Sequence, residues 1–182
     1  MTTSGREVAV LGGGCFWCIE AVFRRLRGVD EAVSGYAGGH VPDPTYEQVC
    51  GKATGHAEVV RVRFDPAIIS FETLLDVFFT AHDPTTPNRQ GNDVGPQYRS
   101  VVFCQDEAQR TVLKAKIAAI DAVGEHTDRV VTEVAGQATF YPAESYHQDY
   151  FRLHGHEPYC SYVVAPKLAK CLKRFGHLMR DE

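Results

Sequence analysis

Three observations predict an α/β chain of the α+β kind, folded as a two-layer sandwich with a mixed sheet and extended loops. Short apolar or alternating segments recur between segments whose apolar residues have helical spacing, their order is β-α-β-β-α-β, and two long polar stretches interrupt it. Residues 6–14, REVAVLGGG, read as a short buried strand ending in a glycine turn. Residues 15–28, CFWCIEAVFRRLRG, follow as a helix closed by Gly28 at its C-terminal cap. A strand running into a loop is expected over 29–39. HAEVVRVRF at 56–64 alternates, with Glu58, Val60, Val62 and Phe64 on one face. Phe71, Leu74, Leu75, Phe78 and Phe79 then recur at helical spacing behind Ser70, an N-cap type. SVVFC (100–104) reads as a strand, residues 106–123 as a helix capped by Asp106, and DRVVTEV (128–134) as a further strand. Leu168, Cys171, Leu172, Phe175 and Leu178 mark the apolar face of a terminal helix. The opening order is that of the ferredoxin-like plait, with the last strand and helix as additions.

With 182 residues and no internal repeat, low-complexity tract or linker, the chain is expected to form one domain over 1–182. A net charge of -4 gives no electrostatic reason to bind nucleic acid or an anionic membrane. No apolar run approaches the roughly 18 residues of a membrane span, and no basic segment followed by an apolar one opens the chain. A cytoplasmic monomer without a cofactor is expected. Six cysteines without a secretory signal read as thiols in a reducing compartment, so any disulfide is expected to be transient and catalytic.

Chemistry concentrates where the first strand meets the first helix. Cys15 falls between a triple glycine and a helix start, where backbone N–H groups and the helix dipole favour a thiolate. Phe16 and Trp17, the latter the sole tryptophan, follow at once and can wall an apolar pocket for a small alkyl group or simply pack. Glu58 stands on the core-facing row of its strand. Desolvation there would raise its pKa and make it a general acid near neutral pH; the other reading is a solvated strand end. The polar stretches 34–55 and 82–99 are of a length that usually carries function. Tyr146 and His147 read as helix-surface residues.

The blocks GGCFWC, TGHAEVV, HDPTTPNRQGNDVGPQYRS and AESYHQDY, in that order across residues 12–150, resemble the peptide methionine sulfoxide reductases of class A. The resemblance implies a two-layer plait and reduction of the S epimer of methionine sulfoxide, free or in proteins, as repair under oxidative stress. It implies that Cys15 is the nucleophile and Glu58 the acid, and that Phe16 and Trp17 hold the S-methyl group. It further implies that Tyr46 and Tyr150 hydrogen-bond the sulfoxide oxygen, and that Asp93 and Tyr98 orient the substrate and support Glu58. The chemistry agrees: a sulfoxide oxygen leaves badly as an oxide, so thiolate attack on sulfur needs a proton delivered to that oxygen. A sulfenic acid results, which a second thiol converts to a disulfide for a thioredoxin or similar dithiol to open.

Two thiols compete to resolve it, Cys160 as the first choice and Cys18 as the alternative. Cys160, after a glycine-bearing segment read as flexible, matches the position of a recycling cysteine in relatives carrying GYC. Cys18 stands one helical turn from Cys15, where many relatives have glycine. Cys104 and Cys171 read as structural, and Cys50 as an outside candidate. Two other classes remain open from the residues alone. One is a zinc site of Cys15, Cys18, His154, His156 and Cys160, which leaves Glu58, Tyr46 and Asp93 unexplained. The other is a thioredoxin-like oxidoreductase using the paired cysteines, with a purely structural interaction module as a weaker third.

Overall fold

A computed structural model describes residues 5–181. The alternation read from the sequence becomes β1 (Glu7–Gly12), α1 (Phe16–Phe23), β2 (Val29–Ala37), α2 (Tyr46–Cys50), β3 (Ala57–Phe64) and α3 (Phe71–Ala81). A small hairpin follows, β4 (Arg89–Gln90) and β5 (Asp93–Val94), and then a 3-10 turn over Pro96–Tyr98. Next come β6 (Val101–Phe103), α4 (Glu107–Val123), β7 (Glu133–Ala135), β8 (Phe140–Pro142) and a 3-10 turn at Ser145–His147. The chain closes with α5 (Tyr150–His154), a π-helical turn (Cys160–Val164), α6 (Ala165–Phe175) and a last 3-10 turn at Gly176–Leu178.

Six strands form one mixed sheet in the order β7-β6-β1-β3-β2-β8, antiparallel except for the β6–β7 pair. The crossover β1-α1-β2 encloses β3, and the crossover β3-α3-β6 encloses β1. This is the predicted plait, widened by β7 and β8 at its edges. Alternation along β3 divides the core. Val60, Val62 and Phe64 join Leu11, Ile19, Phe23, Leu75 and Phe78 beneath the helices, while Ala57 and Val59 join Val10, Val101 and Phe103 on the opposite face. Glu58 shares the row of Val60 and therefore points to the helix side, at the end of β3 nearest the start of α1.

The helices form where side chains close their ends. Ser70 accepts the Thr73 N–H at 3.0 Å, Asp106 accepts the Gln109 N–H at 2.8 Å, and Thr45 and Gln48 cap α2 reciprocally. The first helix departs from expectation. It ends at Phe23, because residues 25–27 are taken up by the C-terminus: Arg27 N–H donates to Leu178 O, Arg180 N–H donates to Arg25 O, and Leu26 bridges Met179. Gly28, at φ +91° and against Ile68 and Ile69, makes the turn into β2 instead of capping α1. The strand expected at 128–134 is confined to Glu133–Ala135, since the Val130 and Val131 N–H groups are taken by Asp121 and Pro84. Leu178 lies beyond the terminal helix, which buries Leu168, Cys171 and Phe175.

Leu75 is fully buried between α3 and the sheet, whereas Val123 at the end of α4 is 80% exposed. Leu75→Ala should cost about 2–5 kcal/mol in urea unfolding and Val123→Ala at most about 0.5 kcal/mol. Equal midpoints would contradict the packing described.

Candidate active site

Cys15 is positioned by the glycines before it and by what packs against them. A Cβ on Gly13 would lie 2.8 Å from the His82 ring, and one on Gly14, at φ +91°, would lie 2.6 Å from the Gln90 side chain. Only glycine passes here without displacing these groups. Both neighbours are themselves fixed. Gln90 bonds the backbone N–H and carbonyl of Asp83 at 2.8 and 2.9 Å. The His82 imidazole is fully enclosed, which pushes its pKa down to about 4 and leaves it neutral. Its Nδ1–H donates to Phe78 O at 2.7 Å, so Nε2 accepts from the Ser100 hydroxyl at 2.7 Å, and Thr132 in turn donates to Ser100 at 2.7 Å. The polar stretch 82–99 therefore serves as the bed on which the cysteine turn rests.

Cys15 is the N-cap of α1, and the first N–H of that helix, at Phe16, donates to Glu58 Oε1 at 3.1 Å. Glu58 is 1% exposed. Burial, with the nearby Asp93 adding repulsion, outweighs the Phe16 hydrogen bond and pushes its pKa up to about 8. The thiols depart from expectation. Burial, the Cys18 hydrogen bond and the field of Glu58 push Cys15 well up, against the lowering anticipated from its helix start. The physical reason is enclosure: the Phe16 N–H goes to Glu58, leaving the Trp17 N–H to favour the sulfur, and that is too little. Cys18, accepting from Cys15 and lying in the field of Lys167, is lowered instead.

Aromatic rings close the site. Phe16 is buried against Tyr36 and His147, with centroids 5.7 and 5.2 Å away. The half-buried Trp17 stacks on Tyr150 at 3.7 Å and 2°, meets Tyr159 edge-on at 5.7 Å, and donates its Nε1–H to His147 Nδ1 at 3.1 Å. Tyr46 lies 4.4 Å from the His147 ring and is anchored through its backbone N–H to Glu144 Oε2 at 2.8 Å. Burial and the field of Glu58 raise the hydroxyl pKa of both Tyr46 and Tyr98, keeping them protonated donors. Burial also lowers His147, leaving it neutral; because Nδ1 accepts from Trp17, Nε2 carries the proton, and that buried N–H has no partner among the described residues.

Cys15, Phe16, Trp17, Cys18, Tyr46, Glu58, Asp93, Tyr98 and Tyr150 thus converge at one end of the sheet. Three residues sit differently from expectation. Tyr150 donates its hydroxyl to Glu157 Oε2 at 2.6 Å, so its ring, not its hydroxyl, faces Trp17. Cys160 is not on a loop: it is fully buried in the π-helical turn that runs into α6. His147, read as a surface residue, is 1% exposed at the centre of the ring cluster. Tyr159, which donates to Asp93 Oδ2 at 2.6 Å, and Glu144, which accepts the Tyr36 hydroxyl at 2.9 Å, had no signal beyond lying beside Cys160 and within AESYHQDY. No group of three or more His, Cys, Asp or Glu among the described residues is placed to hold a metal ion.

The family profile described as "Peptide methionine sulfoxide reductase" matches residues 7–178. The chain belongs to that family. A peptide methionine sulfoxide reductase MsrA of Ralstonia nicotianae is 54% identical over 178 residues, covering 96% of this chain and 93% of the relative. The solved structure of reduced Mxr1 from Saccharomyces cerevisiae is similar at a TM-score of 0.76 and 34% identity, over 87% of this chain and 91% of that one. Mxr1 solved in complex with Trx2 is similar at a TM-score of 0.53 and 25% identity, over 82% and 87%. The reductase is thus an oxidoreductase of the MsrA type, and its Gly13–Gly14 turn is the element that presents Cys15.

Gly14→Ala adds a methyl group against Gln90 at a left-handed position and should destabilise this reductase by more than about 1 kcal/mol, with a fall in activity. Gly176→Ala, with open space and ordinary φ, should change neither. Thermal unfolding with turnover assays of both variants checks this.

Proposed function

We propose that this reductase acts on the S epimer of methionine sulfoxide, free or in proteins. The observation that carries the reading is Glu58, a buried and largely neutral carboxyl hydrogen-bonded to the residue after Cys15. Cys15 sulfur attacks the sulfoxide sulfur as Glu58 protonates the oxygen, with the Tyr46 and Tyr98 hydroxyls as further donors. The oxygen passes from the substrate sulfur to the Cys15 sulfur as the S–O bond and the transient S–S bond break, so methionine thioether departs, Cys15 is left as a sulfenic acid, and the thiol's proton replaces the one Glu58 gave. Phe16 and Trp17 hold the S-methyl group. Asp93, through Tyr159, orients the substrate side of the site. The stacked Tyr150 ring braces Trp17, which suits it to shaping the pocket better than to bonding the oxygen.

Cys18 then attacks the sulfenic acid, giving a Cys15–Cys18 disulfide and water. Its hydrogen bond to Cys15 and its lowered pKa support this choice over Cys160, whose thiol burial raises and whose π-helical turn must open first. A dithiol of the thioredoxin kind reduces the disulfide, a reading supported by the yeast relative's complex with Trx2. Repair of oxidised methionine under oxidative stress is the role that follows.

Cys15→Ser should abolish reduction. With a Glu58 pKa near 8, the acid form predominates below that value and is lost above it, so wild-type kcat/KM should fall as pH rises through about 8. Glu58→Gln should be slower by about 10²–10⁴-fold and lose that limb; a wild-type profile in the variant would remove Glu58 from its role. Mass spectrometry after one equivalent of methyl sulfoxide, without reductant, should find Cys15 bonded to Cys18. A Cys15–Cys160 bond would reassign the resolving step.

A further inference from the structure

Glu20, one turn beyond Trp17 on α1, is a buried carboxylate to which the proposed chemistry gives no role. Its oxygens accept from three parts of the chain. Oε1 takes the Ser34 hydroxyl of β2 at 2.9 Å; Oε2 takes the Arg24 guanidinium at 3.1 Å and the Asp149 backbone N–H at 2.7 Å. The last contact lands on a corner. Asp149 has φ +54°, in the left-handed region that residues other than glycine rarely adopt. Tyr150 follows it directly and stacks on Trp17, and His147 stands two residues before it and accepts the Trp17 indole N–H. Gln148 between them is tied to the backbone of Ser34, its Oε1 accepting the Ser34 N–H at 3.0 Å and its Nε2 donating to the Ser34 carbonyl at 2.9 Å. The segment that grips Trp17 is thus held at two adjacent residues, by β2 through Gln148 and by α1 through Glu20.

We propose that Glu20 is a positioning residue for the substrate pocket: its carboxylate fixes the Asp149 corner so that His147 and Tyr150 close on Trp17. This rests on the reading of Trp17 as a wall of the methyl pocket. A buried carboxylate costs desolvation, and an apolar side chain of the same size would fill the space without that cost. What the apolar side chain cannot do is accept the Asp149 N–H, and an unmet donor there releases the corner. Because Trp17 and Glu20 lie on one face of the same helix, the corner is referenced to the element that carries Cys15.

The sole tryptophan, Trp17, makes the grip directly observable by fluorescence, independently of turnover. In Glu20→Gln the amide oxygen can accept the Asp149 N–H while the amide nitrogen donates to Ser34, so both KM for a methionine sulfoxide peptide and acrylamide quenching of Trp17 should stay within about twofold of wild type. In Glu20→Leu the Asp149 and Ser34 donors lose their acceptor. KM should rise about tenfold with kcat within about twofold, and quenching of Trp17 should increase. Ile120→Ala, in α4 and remote from the site, should lower the melting temperature yet leave KM and quenching unchanged. Wild-type KM and quenching in folded Glu20→Leu would overturn the proposal, as would a Glu20→Gln enzyme impaired as much as the leucine variant. If the leucine variant does not fold, Ser34→Ala decides: a smaller rise in both readouts supports the proposal, and no change in either overturns it. Increased quenching with unchanged KM would overturn the place of Trp17 in the pocket while upholding the Glu20 corner.

Discussion

The hydrogen bond from the Phe16 backbone N–H to Glu58 joins the first turn of α1 to the centre of the sheet, and the site is arranged around it. Two constraints meet in that contact. The register of β3, with Glu58 opposite Tyr36 on β2 and Val60 opposite Leu11 on β1, brings the carboxyl to the end of the sheet where β1 passes into α1. The glycines then let the chain turn tightly enough for the helix to begin directly over it. A one-residue slip of β3 would turn Glu58 to the opposite face and leave the Phe16 N–H without its acceptor. Burial does the rest: at a pKa near 8 the carboxyl is roughly nine-tenths protonated at pH 7, a proton donor hydrogen-bonded to the residue after Cys15.

Around this contact the remaining polar groups are spent on one another. Asp93 holds Tyr159, Glu157 holds Tyr150, Glu144 holds both Tyr36 and the Tyr46 backbone, and His147 holds Trp17. Each bond orients a ring, because a ring with its hydroxyl or indole N–H fixed has little freedom left. The carboxylates other than Glu58 thus shape the walls of the site. Two donors stand outside this pattern: the Tyr98 hydroxyl, held protonated beside Glu58, and the buried N–H of His147, which has no partner among the described residues.

How far the sequence revealed this depended on what kind of interaction specifies each part. Periodicity accumulates over long elements, so α3, α4 and β3 were legible, and so was Glu58, whose row on β3 needs only alternation. The three residues of β8 are too few to show a period; they exist because they pair with Gly35–Ala37 of β2. The early end of α1 was invisible because its competitor for backbone hydrogen bonds, residues 178–180, lies some 150 positions away in sequence. His147 looked like a surface residue since a three-residue 3-10 turn carries no amphipathic pattern; the rings of Phe16 and Trp17 on α1 and of Tyr46 on α2 enclose it. Tertiary enclosure also reversed the expectation for Cys15. A helix start lowers a thiol pKa where solvent shares the site, but here desolvation is the larger effect.

That reversal bears on how the proposed cycle begins. A free thiolate at rest would be exposed to indiscriminate oxidation, whereas a thiol kept protonated beside a neutral acid carries no charge until the substrate arrives. Attack and proton delivery are then coupled, because negative charge builds on the sulfoxide oxygen only as the S–O bond breaks, and Glu58 can release its proton only to that oxygen's rising basicity. Cys18 extends the same logic. Hydrogen-bonded to Cys15 and lowered in pKa, it is the thiol that gives up its own proton more readily and so can attack the sulfenic acid as a thiolate, water leaving as the disulfide forms. In the proposed cycle the enclosure that keeps Cys15 protonated leaves Cys18 the readier of the two to ionise, so attack and resolution fall to different members of one hydrogen-bonded pair.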